Sequence, residues 1–225
     1  MTGSAGKRLA PLAALALGLL LCLGAGHASA QSEGGEPIRL FGTVEFRGKL
    51  KALPKWLRVL QVMDHDPKLL PSARLSANKK AQALKEWEAI KASAPEGKPD
   101  VKTLEKVTKL FNKFPYRLDR EAFGKSDYWA TPDEFLKHYG DCEDFSIIKY
   151  YALKELGYSP DDMRIVVLVD TIRNLGHAVL VFYLNGTAYV LDNLTNLVLP
   201  HERFKHYKPQ YSVNENYKWV HIPAQ

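Results

Sequence analysis

Cysteine is almost absent from this sequence: two in 225 residues, Cys22 and Cys142. That scarcity excludes a disulfide-stapled scaffold. Long apolar runs are as rare, and beyond residue 30 none is long enough to span a membrane. There are seven histidines, but no pair has zinc-site spacing such as two on one helical turn. An excess of one charge is missing too. Thirty-one basic residues stand against 25 acidic ones, and the lysines alternate with glutamates instead of forming a basic stripe with interleaved aromatics. A nucleic-acid partner is therefore not expected. Internal repeats and low-complexity tracts are lacking.

What is present begins with a leader. Lys7 and Arg8 precede an apolar run over residues 9–23, and Ala28-Ser29-Ala30 supplies the small side chains a signal peptidase needs. This reads as a cleavable signal peptide over residues 1–30 and predicts an exported protein. Cleavage after Ala30 removes Lys7, Arg8 and Cys22. It leaves 195 residues with a formal charge of +4 instead of +6. That length suits one domain, residues 31–225, with a real core and no membrane span. The remaining thiol, Cys142, then has no partner for an internal disulfide in an oxidising compartment.

Residues 31–37 read as a flexible start, and residues 40–46 as a short strand or lead-in. A lysine-rich helix is expected over residues 75–92, followed by a linker through Pro95, Gly97 and Pro99. A second helix is capped by Asp100, with Val101, Leu104, Val107, Leu110, Phe111 and Phe114 as its apolar stripe. Thr131-Pro132-Asp133-Glu134 has the form of a capping box with proline at the first helical position. That short helix is expected to reach Tyr139 and stop at Gly140. A further helix starts at Asp141-Cys142-Glu143-Asp144, with Phe145, Ile148, Ala152 and Leu156 as its apolar face, and closes at Gly157. Strands follow over residues 164–170, 177–184 and 187–192, the last two joined by Asn185-Gly186, a strong hairpin signal. The remainder reads as irregular. Helices followed by an antiparallel sheet make an α+β fold.

Cys142 falls in the first turn of its helix, where unpaired N–H groups and the helix dipole favour a thiolate. The hairpin supplies a base. With a two-residue turn, Val179 faces Asp192, and His177 points to the same side, a diagonal neighbour roughly 7–8 Å away between backbones and within side-chain reach. An imidazole–carboxylate bond there would fix the tautomer and aim the ring. Asp141, Glu143 and Asp144 oppose this chemistry, because negative charge raises a thiol pKa. Either they point away or a cation neutralises them, and a hard ion with oxygen ligands, Ca²⁺, would do so. His65, between two aspartates, is a weaker metal candidate. His138 lacks a carboxylate at a useful offset, and Trp129 is either a cleft wall or core.

Several segments together resemble one family: Tyr128-Trp129-Ala130-Thr131-Pro132, then Gly140-Asp141-Cys142-Glu143-Asp144-Phe145, then Gly176-His177-Ala178-Val179-Leu180 and Val190-Leu191-Asp192-Asn193-Leu194. They are similar to the bacterial transglutaminase-like cysteine proteinases, in the order Cys, His, Asp and over roughly residues 116–219. The resemblance implies a papain/transglutaminase-like core, with the nucleophile at a helix N-terminus packed on an antiparallel sheet and Cys142, His177 and Asp192 as a catalytic triad. It implies a periplasmic thiol protease that cleaves the N-terminal region of a large surface adhesin and so controls biofilm attachment. It also implies calcium near the nucleophile, with Asp141 and Glu143 at the matching positions, and an inner-membrane cyclic-di-GMP receptor as regulator. A cell-wall amidase, a transglutaminase on the same triad and a non-catalytic binding module are the alternatives.

Overall fold

The structure, a computed structural model, describes residue 1 and residues 38–50, 53–65, 77–95 and 97–224. The expected signal peptide (beyond Met1) and the flexible start at residues 31–37 lie outside the described residues. Among the described residues no helix is long and apolar enough to cross a membrane.

A tight turn at Leu40–Gly42 leads into β1 (Thr43–Gly48). Five helices follow: α1 (Pro54–His65), α2 (Ala77–Ser93), α3 (Val101–Phe111), α4 (Asp119–Ala122) and α5 (Pro132–His138). Next comes α6 (Cys142–Glu155), and then six strands: β2 (Met163–Asp170), β3 (Leu175–Leu184), β4 (Thr187–Leu191), β5 (Leu199–Pro200), β6 (Tyr207–Val213) and β7 (Lys218–Pro223). The seven strands of the described residues form one sheet in the order β1-β7-β6-β2-β3-β4-β5, and every neighbouring pair runs antiparallel. The fold is α+β, with helices and an antiparallel sheet, as expected.

Local chemistry sets several boundaries. Asp100 caps α3 by accepting from the Thr103 N–H at 2.7 Å. Thr131 and Glu134 exchange the two bonds of the capping box that starts α5. Asn185 and Gly186 both have positive φ, 49° and 75°, as a type I′ turn requires. The β3–β4 register pairs Leu184 with Thr187 and Leu180 with Leu191, which is the register the turn predicts.

Four expectations need correction. α3 ends at Phe111, short of Phe114. α5 is closed not at Gly140 but by Tyr139, which takes φ 63°; Gly140 is needed for another reason, given below. α6 is not amphipathic, since every residue from Asp144 to Leu153 is buried, making it the central helix of the core rather than a surface one. The C-terminal segment is not irregular: it holds β6 and β7, which carry the sheet from β2 out to β1. Pro209 sits where the β2–β6 register slips, the kind of place a sheet tolerates proline.

α6 lies across β2 and β3, and its apolar core includes Trp56, Phe111, Phe135, Ile165, Leu180 and Phe182. The opposite face of the same strands, with Val166, Leu168, Val179 and Val181, is covered by Leu40, Phe204 and Tyr207. β2 and β3 are thus sealed on both sides, which holds any polar group at their ends rigidly.

Candidate active site

The N-terminus of α6 is pinned by Asp144. Its carboxylate accepts from the Asp141 N–H at 3.3 Å and from the Ala130 N–H at 2.6 Å. This explains Gly140: a Cβ there would stand 2.0 Å from Asp144 Oδ2. Cys142 is the first residue of the helix, and its side chain is partly buried. Its sulfur faces the Ala178 N–H, next along β3 from His177. The thiol donates to Glu143 Oε2 at 3.2 Å.

The sheet side is fully bonded. His177 Nε2 pairs with Asp192 Oδ1 at 2.9 Å, and both side chains are buried. The second carboxylate oxygen, Oδ2, accepts from the Tyr207 hydroxyl at 2.5 Å, and the Leu194 N–H reaches Oδ1 at 3.0 Å. Asn112 Nδ2 holds the Asp192 carbonyl at 2.9 Å from the end of α3. Burial pushes the Asp192 carboxyl upward, but the bonds from His177, Tyr207 and Leu194 and the charge of His177 outweigh it and hold the pKa below the usual carboxylate value. Tyr207 is itself fixed by a stacked Phe204 ring 5.2 Å away.

The nucleophile side is the reverse. The acids do not point away: one oxygen each of Asp141 and Glu143 and the Cys142 sulfur lie within 4.8 Å of one another. Burial, followed by the charges of Glu143 and Asp141, pushes the Cys142 thiol well up; the Ala178 N–H opposes this only in part. The helix start alone therefore does not depress this pKa, contrary to the simplest sequence expectation. Asp141 is also driven far above the carboxylate range by burial and by Glu143. Asp119, buried on α4, is raised to about 6, chiefly by burial, with added repulsion from Glu143 and Asp127.

Sequence reasoning did not select Asp119. It completes two further clusters of oxygen donors, Asp119–Asp141–Asp144 and Asp119–Asp127–Glu143, each within 4.8 Å. Asp119 Oδ1 and Asp141 Oδ1 are buried with no hydrogen-bond partner among the described residues. Lys55 pairs with Asp127, but the Asp119 and Asp141 carboxylates have no ion-pair partner among the described residues, and converging carboxylate oxygens of that kind suit a hard divalent cation. The donor set fits Ca²⁺. Among the remaining candidates, Trp129 is core, packed on Trp56, whereas Tyr116 is half exposed beside the cysteine turn, bridged to Gly140 and stacked on Phe145. His138 is exposed, and His65 ends α1 outside every acidic cluster of the described residues. Tyr207 and Asn112 were not selected either, although both hold Asp192.

Two comparisons find proteins similar to this chain. Legionella pneumophila LapG is 30% identical, with a TM-score of 0.55 over 73% of this chain and 86% of the other. Its calcium-bound form gives a TM-score of 0.56 over the same shares. The EGTA-treated form gives 0.55, with 84% of that chain covered. No curated protein matches the chain in sequence. Residues 77–225 match the family described as bacterial transglutaminase-like cysteine proteinase BTLCP. With two thirds of its length matched to that family, the chain belongs to the bacterial transglutaminase-like cysteine proteinases.

Proposed function

We propose that this chain is an exported, calcium-dependent cysteine endopeptidase of the periplasm, with Cys142 as nucleophile, His177 as base and Asp192 as the residue that orients it. The observation that carries this reading is the buried His177–Asp192 bond at 2.9 Å, with the Cys142 sulfur against the next residue of β3. Nε2 is committed to Asp192, so Nδ1 is left to take the thiol proton. The sulfur then attacks a peptide carbonyl. The Cys142 N–H, which lacks an intrahelical partner at the start of α6, donates to the developing oxyanion. His177 returns its proton to the leaving amine, and the thioester is hydrolysed by water that the same imidazole deprotonates.

Asp141 and Glu143, joined by Asp119, would hold the calcium. Bound there, Ca²⁺ would cancel carboxylate charge beside the sulfur and compete for the Glu143 carboxylate that otherwise accepts a hydrogen bond from the thiol. The likeness to LapG, a protein with calcium-bound and EGTA-treated forms, supports the choice of ion. The substrate that family resemblance favours is the N-terminal region of a large surface adhesin, with an inner-membrane cyclic-di-GMP receptor as regulator.

The test is incubation of the purified protein with an adhesin N-terminal fragment and, separately, with purified sacculi. Cleavage of the fragment by wild type and none by Cys142→Ala is expected. Release of sacculus fragments with the adhesin intact would replace the protease reading with that of a cell-wall amidase.

A further inference from the structure

β1 is the last strand of the sheet: it pairs with β7 on one side, and no strand lies beyond it among the described residues. An outer strand with open backbone groups is a template for another chain, and proteins guard such edges with proline, lysine, bulges or a covering segment. β1 has neither proline nor lysine, and it pairs with β7 without a register shift. It lies outside residues 77–225, the part matched to the family.

One bond fixes the alternation of its backbone. The Ala224 N–H donates to the Gly42 carbonyl at 3.3 Å, so Gly42 faces β7, and by alternation so do the backbone groups of Val44, Phe46 and Gly48. Those of Thr43, Glu45 and Arg47 point outward. The Thr43 N–H returns to the Leu40 carbonyl, which leaves both backbone groups of Glu45 and of Arg47 on the open side. The side chains alternate as well. Val44 and Phe46 are 44% and 57% exposed, and they continue into their cross-strand partners Ile222 and Val220, 49% and 44% exposed. Glu45 and Arg47 project from the opposite face, beside His221 and Trp219. Glu45 Oε2 accepts from the Arg164 guanidinium at 2.5 Å, while its Oε1 has no hydrogen-bond partner among the described residues. The Arg47 guanidinium lies 4.5 Å over the Tyr217 ring.

We propose that the outer edge of β1 is a self-association surface, on which a second copy of this chain adds its own β1 antiparallel about a two-fold axis at Phe46. Charge selects that register. An axis at Glu45 would set Glu45 against Glu45, and an axis at Arg47 would set Arg47 against Arg47; like charges directly opposite destabilise a strand pair. An axis at Phe46 sets each Glu45 against Arg47 of the second copy, twice by symmetry. Those are the residues whose backbone groups face outward, so each pair exchanges both backbone bonds. The Arg47 guanidinium then meets a carboxylate that has an acceptor to spare. Phe46 meets its own copy on the axis as a close, non-hydrogen-bonded pair, and Gly48, opposite Val44, leaves room for the two rings. The contact joins two sheets into one and carries the apolar strip of Val44, Phe46, Val220 and Ile222 across the axis. A single-strand interface is small, so the dimer is weak and depends on concentration.

Sedimentation of the purified protein over a concentration series tests this without any variant. Wild type should pass from monomer to dimer in the micromolar range. Phe46→Glu puts like charges on the axis, and Arg47→Glu puts them opposite Glu45. Each should weaken the dimer about tenfold or more, whereas Arg47→Lys should keep it. A second arm checks the register. In a Cys142→Ala background, which removes the other thiol, Phe46→Cys should form an intermolecular disulfide on mild oxidation. The axis pair has its Cα atoms about 4.5 Å apart, inside the range a disulfide spans. Val44→Cys, on the same exposed strip but opposite Gly48, should not cross-link. A monomer at every concentration, as when residues 31–37 of the same chain take the edge, would overturn the proposal. Equal cross-linking through both positions would overturn it too.

Discussion

The two halves of the site are built on opposite principles. On the sheet side, both Asp192 carboxylate oxygens and its carbonyl are bonded, and the net result is a carboxyl held ionised. On the helix side, Asp141 and Glu143 crowd the thiol with Asp119 against both, one buried oxygen each of Asp119 and Asp141 bonds nothing among the described residues, and burial and charge push the thiol pKa well up. One half is finished by the chain alone. On the reading proposed above, the other half would be completed by a bound cation, so that the nucleophile would be ready only when calcium is present.

If the halves work as a unit, Cys142→Ala and His177→Ala should each remove nearly all activity, about 10⁶-fold by analogy with other hydrolytic triads, and combining them should cost little more. Additive losses in a double-mutant assay would separate the halves. Asp192→Asn should cost about 10⁴-fold and yet leave measurable turnover. A loss equal to that of His177→Ala would make Asp192 more than an orienting residue.

Tyr207→Phe sharpens the comparison from the finished side. It removes one bond to a charged carboxylate, about 1.5–3 kcal/mol, so kcat should fall by about 10- to 100-fold. Because that bond helps hold the Asp192 pKa down, the acid limb of the pH–rate profile should move to higher pH. An unshifted limb would reduce Tyr207 to packing. The smallest effect concerns stability. Asp119 and Asp141 have raised pKa values in the folded chain, so without cation their charge destabilises the fold above the ordinary carboxylate pKa, and protonation on acidification relieves it. The melting temperature in calcium minus that in EGTA should therefore be largest near pH 7.5 and shrink by pH 5.5. Taking the difference cancels contributions common to both conditions, such as buried His221. A gap that widens on acidification would contradict the cluster as the binding site.

The finished half was largely legible in the sequence, because local signals fix it. Asn185-Gly186 sets the hairpin register, and the register places His177 and Asp192 on one side. Its outer support was not legible. Tyr207 lies on β6, where Pro209 hides the strand pattern, and a single chain gives no sign that a residue fifteen positions after Asp192 returns to it. On the helix side the conflict of charges around Cys142 could be read from three adjacent acids, but not its extent. Asp119 arrives from α4 through a long-range approach, and Lys149 looks like an ordinary surface lysine until α6 proves to be buried all round. α1 was missed although Trp56, Val59 and Met63 have helical spacing and are buried.

The central claim, a finished base beside a nucleophile that awaits a cation, is tested most directly by the rate at which iodoacetamide alkylates Cys142 at pH 7. The protein should be compared in calcium, in EGTA and in EGTA followed by magnesium. With carboxylate charge cancelled, the thiolate fraction should rise by at least one pKa unit, so alkylation in calcium should be about tenfold or more faster than in EGTA. Magnesium should not restore it, because its small octahedral shell fits this cluster poorly. Equal rates in calcium and EGTA would contradict the account.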